Sequence, residues 1–228
     1  VAACDKEPSA SAVPEAAPPP KLAAPPAPEP PRAPDILVDA SHVAIGSDQV
    51  PTGQPGLADK VGVFLHGRPL VEGQSVAVVA MRNAKPSSVA AVATALERER
   101  AASASVRTEA RDGSTQKLTL SFAKTLRDCA AVAWIAKDAA IEVWPAGGGT
   151  PKRILHGLAG PDITLGTDAM RTLGSGCNSS EIVVGSDDGL PWGLVFDLAT
   201  SVLAAPGARA NAAVLVTSAA RGRKIVRD

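Results

Sequence analysis

The chain has 228 residues, 45% hydrophobic and 20% charged, with a mean hydropathy of +0.09, which suits one large or two small folded domains. Its 23 basic and 23 acidic side chains leave no net field to draw it toward nucleic acid, and three Phe, three Trp and no Tyr leave few platforms for stacked bases. No apolar run reaches the ~18 to 20 residues of a membrane helix, the longest being the stretch around Ala130–Ala136.

The chain opens Val1-Ala2-Ala3-Cys4, small residues followed by Cys, as at the cleavage site of a bacterial lipoprotein signal, where the thiol is acylated. The charged and apolar parts of such a signal are not in the sequence, so Cys4 is read as a lipidation site in a chain lacking its signal peptide or starting at an unusual site, against the bland reading of a chance cysteine at a frayed end. Residues 5–34 carry Pro18-Pro19-Pro20, Pro25-Pro26 and Pro30-Pro31. Each proline removes a backbone donor and fixes φ, so the segment predicts an extended tether between a membrane anchor and a folded body.

Cys129 and Cys177 remain as an even pair inside the folded region. Outside the cytoplasm such a pair predicts a disulfide, against the bland reading of two buried free thiols. Closing the loop between them would stabilise the fold by roughly 4 kcal/mol in the chain-entropy account. His42, His66 and His156 are scattered, none at ligand spacing from a cysteine, so no metal site and no cofactor is expected.

Hydrophobic periodicity gives one order of elements twice. In the first series the strands Ile36-Leu37-Val38 and His42-Val43-Ala44-Ile45 flank the turn Asp39-Ala40-Ser41. A helix from Leu57 to His66 follows, then a strand Val76–Ala80, a helix from Pro86 and a strand Ala104–Thr108. In the second, an early strand Lys117–Phe122 precedes Ala130–Ala136 and Ala140–Trp144 around Lys137-Asp138-Ala139. Then come a short helix Asp168–Leu173 capped by Thr167 or Asp168, a strand Glu181–Val184, a helix from Pro191 and a strand Ala213–Val216. The predicted class is α/β (α+β): two β-β-α-β-α-β repeats, residues 35–110 and 111–228, each a mixed sheet with helices on one face, packed into one body. Residues 146–152 are the expected insertion in the second copy.

Chemical motifs are sparse. No Gly-x-Ser-x-Gly elbow supports a hydrolase, and Gly147-Gly148-Gly149 lacks the Gly-Lys-Ser/Thr ending of a phosphate loop and reads as a hairpin turn. Ser186-Asp187-Asp188-Gly189 ends a strand just before a helix, where open sheets bind ligands; together with Trp192 it is the candidate ligand or partner turn. The competing reading is helix capping for the turn and core packing for Trp192. His66 before Gly67 fits a helix C-terminus, and the basic residues Arg221, Arg223, Lys224 and Arg227 read as a solvated tail.

Residues Ile182-Val183-Val184-Gly185-Ser186-Asp187-Asp188-Gly189-Leu190-Pro191-Trp192-Gly193-Leu194-Val195-Phe196-Asp197-Leu198 resemble a segment of the ExbD/TolR family, whose periplasmic domain runs from a strand through an acidic turn into a helix. The hairpin around Asp138-Ala139 is similar, and the first series looks like a divergent version with Ala84-Lys85-Pro86 at the acidic turn. The resemblance implies a non-catalytic periplasmic module accessory to an energised envelope transport or integrity system. Its implied partners are envelope proteins of an ExbB/TolQ-like motor or peptidoglycan, with membrane attachment through lipid on Cys4; a homodimer is compatible with this. The family's membrane helix and its carboxylate have no counterpart in the sequence, so no ion-translocating residue transfers. The alternative expectation is a periplasmic lipoprotein binding a small molecule or glycan between the two repeats.

Overall fold

The computed structural model describes residues 35–68, 72–158 and 160–226, so Cys4 and the Pro-rich tether lie outside the described residues. Strands β1 (Ile36–Val38) and β2 (His42–Ile45) form the expected antiparallel hairpin. Asp39 sets its turn by accepting from the backbone N–H groups of Ser41 and His42, both at 2.7 Å. Those donors, the Ser41 N–H foremost, hold the Asp39 carboxyl below its ordinary value. Beyond a turn at Gly46 lies β3 (Asp48–Pro51), an edge strand with only Val50 turned inward. Helix α1 (Leu57–Leu65), β4 (Ser75–Ala80), α2 (Pro86–Arg98) and β5 (Ser103–Glu109) complete the first half. His66 caps α1 and Gly67 follows with φ 74°, as the sequence predicts.

Strand β6 (Thr115–Ser121) leads to β7 (Ala131–Ile135), β8 (Ile141–Pro145), β9 (Lys152–Ile154), α3 (Ile163–Gly174), β10 (Glu181–Ser186), α4 (Trp192–Ala204) and β11 (Ala212–Leu215). All eleven strands join one sheet in the order β3-β2-β1-β4-β5-β6-β11-β10-β7-β8-β9. This corrects the expectation of a separate sheet in each copy. The cause is β6, which pairs with β5 antiparallel from Ser103↔Ser121 to Glu109↔Thr115 and touches β11 in parallel at Ala213↔Leu120. The strand assigned to the second copy thus belongs by hydrogen bonding mainly to the first.

Helix α3 also differs from expectation. It begins at Ile163, one turn before the sequence signal, and its cap is Asp162, whose carboxylate accepts from the Leu165 N–H at 3.0 Å. The glycine and β-branched residues of that first turn mask it in the sequence. Gly166 is there for contact: a Cβ would come within 2.7 Å of Ile141 Cδ1, so its absence lets α3 lie close on β8.

The described residues form one compact unit, with their four helices on one sheet face over a shared core that includes Val61, Leu65, Val92, Leu96, Met170, Trp192 and Phe196. The opposite face of the second half holds a smaller core, Ala130, Val132, Trp144, Ala146, Val183 and Val214. Cys129, before β7, is bonded to Cys177, after α3, across 48 positions with Cα atoms 5.6 Å apart. The Gly147–Gly149 segment is the β8–β9 hairpin turn.

Replacing both cysteines by serine should lower unfolding free energy by about 4 kcal/mol, the loop-closure entropy returned to the unfolded chain. Urea unfolding of the oxidised protein and the double variant checks this, and equal midpoints would mean that the disulfide constrains nothing that the fold does not already hold.

Candidate functional site

The turn that the sequence offers as a ligand site lies where the two halves meet. Asp188 Oδ1 accepts from the Ser87 N–H at 2.9 Å and so caps the first turn of α2, a helix of the other half. In the reverse direction, the first N–H groups of α4 donate into the β4–α2 loop: Trp192 to the Ala84 carbonyl at 2.8 Å and Gly193 to the Arg82 carbonyl at 2.9 Å. Each loop therefore supplies acceptors for the helix that follows the other. Asp187 closes its own turn by accepting from the Gly189 N–H at 3.0 Å, and Ser186 is buried at the end of β10. Trp192 is fully buried, its indole N–H donating to Thr108 Oγ1 at 2.9 Å. The sequence leaves capping and core packing open beside ligand binding for these residues; the hydrogen bonds of Asp187, Asp188 and Trp192 are those of a cap and a core, while the buried Ser186 Oγ has no hydrogen-bond partner among the described residues.

Around this contact stands a charge cluster that the sequence reading did not single out. Arg82 donates through Nη1 and Nη2 to the two carboxylate oxygens of Asp197 at 2.9 and 2.7 Å, and through Nη1 to the Glu109 carbonyl. Arg111 Nε adds a third bond to Asp197 at 2.8 Å. The Asp197 hydrogen bond raises the Arg82 pKa further above its already high value, so the guanidinium stays charged. Only 13% of the Asp197 side chain is exposed. Its partners lie 115 and 86 positions away, a separation at which no sequence periodicity links residues.

The two halves differ on the face turned away from the helices. In the second half the C-terminal segment crosses that face: Ala219 and Ile225 pack on the smaller core, and the Trp144 indole N–H donates to the Arg223 carbonyl at 3.0 Å. The glycine hairpin receives this strap, with Gly149 N–H on the Gly222 carbonyl at 2.9 Å and Ile225 N–H on the Ala146 carbonyl at 2.8 Å. A Cβ on Gly222 would lie 2.5 Å from the Gly149 carbonyl oxygen, so this close approach requires glycine. Arg221 reaches the buried Glu142 at 3.3 Å and Lys224 reaches Asp128 at 3.1 Å. The tail read as solvated is therefore partly a bound strap with basic side chains set on acidic ones.

In the first half no such segment covers the sheet among the described residues. One row of register partners runs Ala44, Leu37, Val79, Arg107, Lys117 across β2, β1, β4, β5 and β6. Leu37 and Val79 are 39% and 44% exposed, and Arg107 and Lys117 are exposed beside them. A separate cleft of about 550 Å³ lies between the C-terminal ends of α3 and α4, lined by Asp168, Arg171, Cys177, Glu181 and Arg209 among others. It sits within the second half and not at the junction that a ligand site between the repeats would occupy.

The seam is testable through its ion pair. Arg82→Ala should cost about 2–3 kcal/mol, between the values for exposed pairs and for fully buried ones, because it leaves a nearly buried carboxylate with Arg111 alone. Asp188→Ala should cost about 1 kcal/mol as a lost cap. Chemical denaturation reads both, and a loss below 0.5 kcal/mol for Arg82→Ala would mean that the seam is held by the apolar core without the cluster.

Comparison with protein-family models, with curated proteins and with solved structures finds no match for the chain.

Proposed function

We propose that this protein is a non-catalytic interaction module of the bacterial cell envelope, tethered to a membrane through lipid on Cys4 and held out by the Pro-rich segment. On this reading it has two ExbD/TolR-like units and is accessory to an energised transport or integrity system, with ExbB/TolQ-like motor proteins or peptidoglycan as partners. The observation that carries the reading is the unequal covering of the sheet. Among the described residues one outer face is closed by the chain's own strap and the corresponding strands of the other half are open, with Leu37 and Val79 in the open row, a surface of the kind that partners occupy. The Cys129–Cys177 bond supports an oxidising compartment. The engagement of Asp188 and Trp192 in capping and packing favours a scaffold over a ligand turn.

Intact mass of the full-length protein from a native bacterial membrane fraction, with thiol alkylation before and after reduction, tests the compartment and the anchor together. The expected result is a lipid-sized mass increase mapping to Cys4, with Cys129 and Cys177 alkylated only after reduction. An unlipidated chain whose three thiols all react without reductant would overturn the envelope assignment.

A further inference from the structure

We propose that the open outer face of the first half binds an acidic, extended polypeptide segment of a partner protein, seated across β1, β4, β5 and β6. The argument begins with a local cost. Arg107 and Lys117 stand directly opposite each other on neighbouring antiparallel strands, and neither side chain has a hydrogen-bonding or ion-pair partner among the described residues. Like charges in that position weaken a sheet. The acid that shares their face, Glu109, stands two residues along β5 from Arg107, leaves the face with a net positive charge, and gives only its backbone carbonyl to Arg82. The two cations make no ion pair among the described residues and lie at the surface next to the exposed apolar pair Leu37 and Val79.

The second half shows how such a face is closed. There a polypeptide strap places apolar residues on the sheet and sets Arg221 and Lys224 on Glu142 and Asp128. On the open face the sign is inverted: the sheet supplies the cations, so the strap must supply the carboxylates. The basic C-terminal segment of a second copy is the wrong charge for this place. A segment of the right chemistry carries an apolar side chain for Leu37 and Val79 and acidic ones for Arg107 and Lys117. From β2 to β6 the row crosses four strand spacings, about 19 Å, which an extended segment of about six residues spans.

The inference rests on the interaction-module reading but is read by a different experiment from the lipid and thiol measurement, so either can fail alone. The probe is a fluorescein-labelled twelve-residue peptide alternating Ser with Leu and Glu, against the same peptide with Gln for Glu, titrated by anisotropy with the full-length protein at low and moderate salt. The acidic peptide should bind and the Gln peptide should bind at least tenfold more weakly, the difference shrinking with salt. Arg107→Glu and Lys117→Glu should each weaken acidic-peptide binding at least tenfold. Each should also keep or raise the melting temperature, since each converts a like-charge cross-strand pair into an opposite-charge one. That rise separates lost binding from lost folding. Equal binding of the two peptides, or unchanged binding by both variants, overturns the proposal. So does binding to phosphatidylglycerol vesicles, or a concentration-dependent dimer in sedimentation, that Arg107→Glu abolishes while no acidic peptide binds.

Discussion

Every helix begins with backbone N–H groups that its own hydrogen-bonding pattern cannot satisfy, and here the first turns of α2 and α4 meet that requirement through each other's half. Ser87 N–H finds Asp188, while Trp192 and Gly193 N–H find the carbonyls of Ala84 and Arg82. Asp197, on the second turn of α4, then holds Arg82 by both oxygens. Gly193 makes room for this: a Cβ there would lie 3.0 Å from the guanidinium carbon, at the limit of contact. The exchange is directional and short-ranged, so it fixes the two β-strand-to-helix loops in one arrangement in a way that apolar packing alone would not.

The remainder of the sheet follows from that contact. Chain direction reverses between β5 and β6, and β6, β11 and β10 then run parallel, so in a flat sheet the ends of β4 and β10 would lie on opposite edges. A twist of about 20–25° per strand, accumulated over the four steps from β4 to β10, turns those ends toward each other. The sheet's own hydrogen bonds across the middle are few, since β6 and β11 share only the Ala213↔Leu120 register. The middle of the molecule is therefore joined chiefly by the loops above it and by the common core beneath all four helices.

Sequence legibility divides along the same line. Elements whose side chains alternate or repeat against a core were readable, as with Ser75–Ala80, where every second residue is buried, or the Pro86 helix with its apolar stripe. Strands β3 and β9 were not, because each turns a single apolar side chain inward, Val50 and Ile154, and one residue makes no period. The Ser186–Gly189 segment is legible as a capping turn, but nothing local shows that Asp188 caps a helix of the other half. Arg82 could not be chosen from among the basic residues, since nothing local distinguishes it. The glycines of the β8–β9 hairpin were legible as a turn, while the strap that they admit was hidden because its partners are backbone atoms far along the chain.

The two outer faces set stability against exposure in opposite ways. Over the second half, Trp144 and Val183 are removed from water by residues that belong to the same chain, and Glu142, only 7% exposed at its side chain, is compensated by Arg153 and Arg221. A buried carboxylate would be costly without such cations, so the strap and the acid require each other. Over the first half the cations are left at the surface, where water solvates them at little cost and their mutual repulsion is screened. Arg107 and Lys117 contribute nothing to folding that a neutral pair would not contribute better, whereas on the covered face Arg221 and Lys224 are matched by Glu142 and Asp128. A pair of residues that opposes the sheet it belongs to, beside apolar side chains left in solvent, has its physical rationale in what the face meets outside the chain.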